Sequence, residues 1–121
     1  PNAKHCWVGG FGFGAWIGMQ LLMRRPEISG FISAAPPANT YDFSFLAPCP
    51  SSGLIINGSA DRVVPPADVE GLVGKLHEQK GITITHEVIE GAGHFFENDH
   101  MDTMIGSVDE YVRRRLTENT R

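Results

Sequence analysis

Asp61 and His94 are the two side chains whose types and spacing could do chemistry together. Asp61 lies in Gly58-Ser59-Ala60-Asp61-Arg62, just past the apolar run 54–57. His94 lies in Gly91-Ala92-Gly93-His94-Phe95-Phe96, just past the run 82–89. Each follows a strand candidate, with one helix candidate between them. A carboxylate so placed fixes an imidazole's tautomer and stabilises its charged form. The imidazole takes a proton from a nucleophile and returns it to a leaving group. A glycine-dense turn, 9–14, supplies a third feature far upstream.

Two patterns compete for that turn. Gly10, Gly12 and Ala15 fit the dinucleotide fingerprint G-x-G-x-x-A. Gly10-Phe11-Gly12-Phe13-Gly14 fits the nucleophile elbow G-x-S-x-G in all but its central residue. A dinucleotide site needs an acid about twenty positions on, at the end of the second strand. That stretch reads Ser33-Ala34-Ala35-Pro36-Pro37, with Glu27 before it and Asp42 well past it. A dinucleotide-binding fragment is therefore the lesser alternative. An elbow needs small flanks, which Gly10 and Gly14 supply, and an acid and a base later in the chain. Asp61 and His94 come in that order.

Other polar residues have simpler readings. Asp68 sits where a helix start favours an acid. Glu97, Asp99 and His100 lie near His94 but lack the H-E-x-x-H spacing of a metal site. No metal and no cofactor is expected. His5, His77 and His86 have no partner suggested by the sequence, and Arg113 to Arg115 read as a solvated helix end.

The elements that must position these residues alternate. Strands are expected at 5–8, 28–33, 54–57 and 82–89. Helices are expected at 13–24, from Pro65-Pro66 to Gly81, and at 101–116. Ile17, Leu21 and Leu22 give the first helix its apolar stripe, and Val69, Leu72, Val73 and Leu76 the second. Met101, Met104, Ile105, Val108, Val112 and Leu116 give the third. Residues 35–50 read as a proline-rich loop, packed on its own domain in preference to the alternative of lining a cleft or a partner surface. The order β-α-β-loop-β-α-β-α predicts an α/β fold: a mostly parallel, doubly wound sheet flanked by helices.

Composition sets the outer bounds. The chain has 121 residues, 41% of them hydrophobic, which suits one folded domain or a piece of one. A net charge of −4 argues against nonspecific binding to nucleic acid or an anionic membrane. No run approaches the roughly 18 apolar residues of a membrane span. Cys6 and Cys49 set no disulfide framework, fitting a reducing, cytoplasmic setting. Cys6 reads as a buried thiol and Cys49 as a loop residue. The chain opens on its site without an initiator methionine, so a fragment or processed product is expected.

Residues 10–22 resemble the elbow and following helix of α/β-hydrolase proteins related to dienelactone hydrolase, a bacterial serine hydrolase group. The resemblance continues through Ala34-Ala35-Pro36-Pro37, Gly58-Ser59-Ala60-Asp61-Arg62-Val63-Val64-Pro65 and Gly91-Ala92-Gly93-His94-Phe95-Phe96. It implies hydrolysis of a small carboxylic ester or lactone without a cofactor. It matches Asp61 to the catalytic acid, His94 to the base and the Phe13 N–H to an oxyanion donor. Gly12 occupies the position of the serine nucleophile, so no acyl-enzyme can form there and the reaction is expected to be absent or impaired. Neither Ser33 nor Ser59 lies at the elbow.

The resemblance also implies that residues 1–121 are the C-terminal part of such a domain. The missing part would include the loop bearing a second oxyanion donor. The first strand would then be an open edge, inviting self-association or a companion N-terminal fragment. A noncatalytic interaction module is the alternative reading.

Overall fold

A computed structural model of the chain describes residues 6–119. His5 and the start of the first expected strand lie outside them. Four strands form one parallel sheet: β1 (Trp7–Phe11), β2 (Gly30–Ala34), β3 (Gly53–Gly58) and β4 (Ile84–Ile89), in that spatial order. Three helices connect or follow them: α1 (Phe13–Arg24), α2 (Pro66–His77) and α3 (His100–Asn119). Phe11 pairs with Ala34, and Gly58 with Ile89, so the strands end near one another at the edge carrying the site loops.

β3 is buried along its whole length, the apolar Leu54-Ile55-Ile56 together with the polar Asn57. Its alternating side chains divide the core. Ile55 joins Phe31, Ile84 and the buried residues of α1 and α2 on one face. Leu54 and Ile56 join Tyr111 and flanking Met104 and Val108 of α3 on the other. Helices therefore cover both faces of the sheet. No helix among the described residues is long and apolar enough to cross a membrane.

The α1 stripe differs from its expected composition. Ala15, Gly18, Met19 and Leu22 are buried, whereas Ile17 and Leu21 are 46% and 43% exposed. Small residues face inward because α1 lies close on β1: a Cβ on Gly18 would stand 3.3 Å from Val8 Cγ2. The helix turns its larger Ile17 and Leu21 outward. On α3, Met101 and Ile105 are likewise exposed and Tyr111 is buried.

Arg115 is not simply a solvated helix end. Its guanidinium donates to the Tyr111 hydroxyl and the Ser29 carbonyl and lies over Trp7. It ties α3 to the start of β2. Phe43, Leu46 and Cys49 of the 35–50 loop are buried in the α1–α2 core, as expected for a loop packed on its own domain. Cys6 is only half-buried. Burial pushes the Cys49 thiol above its usual range.

Candidate active site

The turn between the first strand and the first helix is shorter than the glycine-dense stretch 9–14 suggests. β1 runs through Gly9 and Gly10 to Phe11, and only Gly12 separates strand from helix. Gly12 has φ 57° and ψ −126°, a conformation that side chains resist. Its N–H donates to Ala34 O at 2.9 Å, and its carbonyl accepts from Ala15 N–H at 2.9 Å. The turn is thereby fixed at both ends.

The two flanking glycines do different things. A Cβ on Gly10 would collide with the Gly14 carbonyl, so Gly10 is required by the return of the chain into α1. A Cβ on Gly14 would meet nothing within 4 Å. The expectation that both flanks avoid collision therefore holds for Gly10 alone. The asymmetry arises because α1's backbone crosses over Gly10, while Gly14 points outward.

Asp61 is held by its own loop. Its Oδ1 accepts from the backbone N–H groups of Val63 and Val64, both at 2.8 Å. Its Oδ2 accepts from His94 Nδ1 at 2.9 Å. The carboxylate is fully buried and the imidazole 12% exposed. A carboxylate only accepts, so the proton of neutral His94 sits on Nδ1 and Nε2 is left as the base. An ideal Cβ at Gly12 would stand 3.8 Å from that Nε2. A serine Oγ, one bond farther out, could close the remaining gap.

The loops bearing Asp61 and His94 are locked together just beneath this pair. Ala60 N–H donates to Ala92 O at 2.9 Å, and Gly91 N–H to Ser59 Oγ at 2.7 Å. A Cβ on Gly58 would strike the Ala92 carbonyl, so the close approach needs glycine there. Phe11 and Phe95 then pack on the imidazole, with ring centroids 5.4 and 4.8 Å away. The sequence motifs named Asp61 and His94 but gave no sign of the Gly58–Ala92 contact. A glycine closing an apolar strand, four residues after Leu54, was its only trace.

Phe13 opens α1, so its N–H is among those with no acceptor inside the helix. Among the other polar candidates, Ser33 is buried and Ser59 Oγ is engaged by Gly91. Asp68 lies in the first turn of α2. Asp42 accepts from Ser44 N–H and Oγ, and the Ser44 N–H holds its carboxyl below the usual range. It is thus committed to its own turn, and no acid stands at the end of β2 for a nucleotide ribose. Among the described residues, no three His, Cys, Asp or Glu side chains are placed to hold a metal ion. A cavity of about 680 Å³ lies apart, between the 38–47 loop and α2, and is lined by none of Gly12, Asp61 and His94.

Known proteins carry the same arrangement of elements. A solved structure from Agrobacterium tumefaciens, a candidate α/β hydrolase of unknown function, is 65% identical with a TM-score of 0.94. It matches 98% of this chain and 54% of its own. A solved serine hydrolase without a lid, from Xanthomonas campestris, is 33% identical with a TM-score of 0.73 over 89% of this chain and 46% of its own. The chain belongs to the α/β-hydrolase superfamily. An uncharacterized protein of Rickettsia prowazekii (strain Madrid E) is 53% identical over 100 residues, 79% of this chain and 42% of that protein. No protein-family model matches the chain. The chain thus spans about half the length of these relatives, and the four strands and three helices of its described residues form part of the α/β-hydrolase fold.

Proposed function

We propose that this chain carries the acid–base half of a serine-hydrolase site acting on small carboxylic esters or lactones, with Gly12 at the nucleophile position. The observation that carries this is where a side chain on Gly12 would start: its Cβ would stand 3.8 Å from His94 Nε2 while Nδ1 is held by Asp61. The dienelactone-hydrolase-like motifs around these residues and the likeness to a serine hydrolase point the same way. The setting is cytoplasmic and the reaction needs no cofactor.

With Gly12 in place the covalent route is closed and the chain by itself is impaired. In a Gly12→Ser version the hydroxyl oxygen attacks the ester carbonyl carbon while its proton passes to His94 Nε2. The oxyanion faces the Phe13 N–H. Collapse breaks the bond to the leaving alkoxide, which takes the proton from His94. Water, deprotonated by the same nitrogen, then releases the acid and restores the hydroxyl. The test is labelling by an alkyl fluorophosphonate, read by mass, with turnover of p-nitrophenyl acetate. The Gly12→Ser chain gains one label and turnover, and Gly12→Ser/His94→Ala loses both. A folded Gly12→Ser chain that neither labels nor turns over the ester would overturn the assignment.

A second reading rests on the open side of the sheet. Among the described residues β1 pairs only with β2, and α1 beside it exposes Ile17 and Leu21. Under this reading the edge pairs with a companion N-terminal segment or a second copy, as unpaired edges do. Size-exclusion chromatography with mass measurement reads the outcome. A monomer at high concentration, unchanged by added N-terminal segment, would count against it.

A further inference from the structure

We propose that the rings of Phe13, Trp16 and Tyr41 form a subsite for an aryl group of the ester substrate. This rests on Gly12 being the reaction centre, and it narrows the substrate class from esters in general to those bearing a flat aromatic arm. Phe13 follows Gly12 directly, and its side chain is 54% exposed. Its ring meets Trp16 at 5.8 Å and Tyr41 at 5.3 Å between centroids. Trp16 and Tyr41 stack at 4.8 Å. Three touching rings, two of them open to solvent, are an unusual way to leave apolar surface beside a reacting position.

The wall is also braced from behind. Trp16 Nε1–H donates to Asp42 O at 3.1 Å, and Asp42 in turn caps Ser44. Asn39 Nδ2 donates to Val63 O at 3.0 Å, joining this loop to the one that holds Asp61. Phe11 and Phe95 pack instead on the imidazole. Trp16 packs on the core behind the wall, while Phe13 and Tyr41 stay open to solvent. Rings prefer offset or edge-on aromatic neighbours over aliphatic ones of equal area, by roughly three- to tenfold in affinity.

Binding is tested in the chain as it exists, which needs no nucleophile. The probe is N-benzylacetamide, a non-hydrolysed mimic of benzyl acetate, with N-ethylacetamide as the control lacking a ring. The readout is the pair of indole N–H resonances, assigned with Trp16→Phe. The Trp16 resonance shifts saturably with the benzyl compound, while that of Trp7, whose Nε1 is buried and whose ring lies under Arg115, stays put. Tyr41→Ala weakens the response by roughly three- to tenfold.

No saturable shift, an equal shift with N-ethylacetamide, or a shift at Trp7 alone would overturn the subsite. Fluorophosphonate labelling of the Gly12→Ser chain without an aryl-specific shift sinks the subsite and spares the hydrolase reading. An aryl-specific shift without labelling sinks the hydrolase reading, and with it the claim that the aryl group belongs to a substrate.

Discussion

Asp61 has two jobs that a pair of substitutions separates. Asp61→Ala removes the acceptor for the Val63 and Val64 N–H groups and for His94 Nδ1. A buried donor left without an acceptor costs about 1–3 kcal/mol. The Val64 donor is buried and loses most, while Val63 is 56% exposed and its N–H regains water more easily. The expected loss is about 2–4 kcal/mol. At roughly 4 °C per kcal/mol for a chain of this size, Tm falls by about 8–16 °C. Asp61→Asn keeps an oxygen for both backbone donors. Its amide NH2 faces His94 and donates to Nδ1, so folding is nearly unchanged, within about 1 kcal/mol. The imidazole is then forced to carry its proton on Nε2, where the base is needed. In the Gly12→Ser background, ester turnover should fall by about 10⁴. Differential scanning calorimetry and p-nitrophenyl acetate hydrolysis read the two effects. If Asp61→Asn unfolds as early as Asp61→Ala, the carboxylate's charge and not its acceptor geometry holds the loop. If turnover survives Asp61→Asn, the tautomer argument is wrong.

Three further predictions concern the glycines and a strand histidine. Gly10→Ala drives a methyl into the Gly14 carbonyl and should cost about 1–3 kcal/mol. Gly14→Ala meets open space in a helix and should stabilise by up to about 1 kcal/mol, so urea midpoints should move in opposite directions. Gly58→Ala should push apart the loops that carry Asp61 and His94. It should lower turnover of the Gly12→Ser chain even where circular dichroism shows the sheet intact. His86 donates to Asn57 Oδ1 and faces Glu70, Glu87 and His77; its half-burial pushes its pKa below the ordinary histidine range. The unfolded chain therefore binds a proton that the folded chain resists. Stability is constant above the unfolded pKa, about 6.5, and falls as pH drops below it toward the folded value. His86→Gln should flatten the Tm profile between about pH 7 and 5, and parallel profiles for the two chains would refute it.

The alternation of apolar runs and amphipathic stretches settled the order of elements, because backbone periodicity is a local property. The run 54–57 could only be a buried central strand, and β3 is one. Gly10-Phe11-Gly12-Phe13-Gly14, the Asp61 loop and the His94 loop were equally legible, because each is a short motif bound to the end of one strand. Which face of α1 is buried was not legible. Hydrophobicity pointed to Ile17 and Leu21, but how closely the helix approaches β1 decides it, and Gly18 lets it come near enough to turn them outward.

The same holds for Arg115, whose partners Ser29 and Trp7 lie far away in the chain. It holds for the contact of Gly58 with Ala92 and for the stack of Tyr41 on Trp16. The sequence alone could say that an aspartate and a histidine follow successive strands. Only the parallel register, which ends β3 and β4 side by side, brings Asp61 Oδ2 to 2.9 Å from His94 Nδ1 and turns Nε2 toward Gly12. Pairing at that range depends on three-dimensional closure between loops 33 residues apart, which no local pattern encodes.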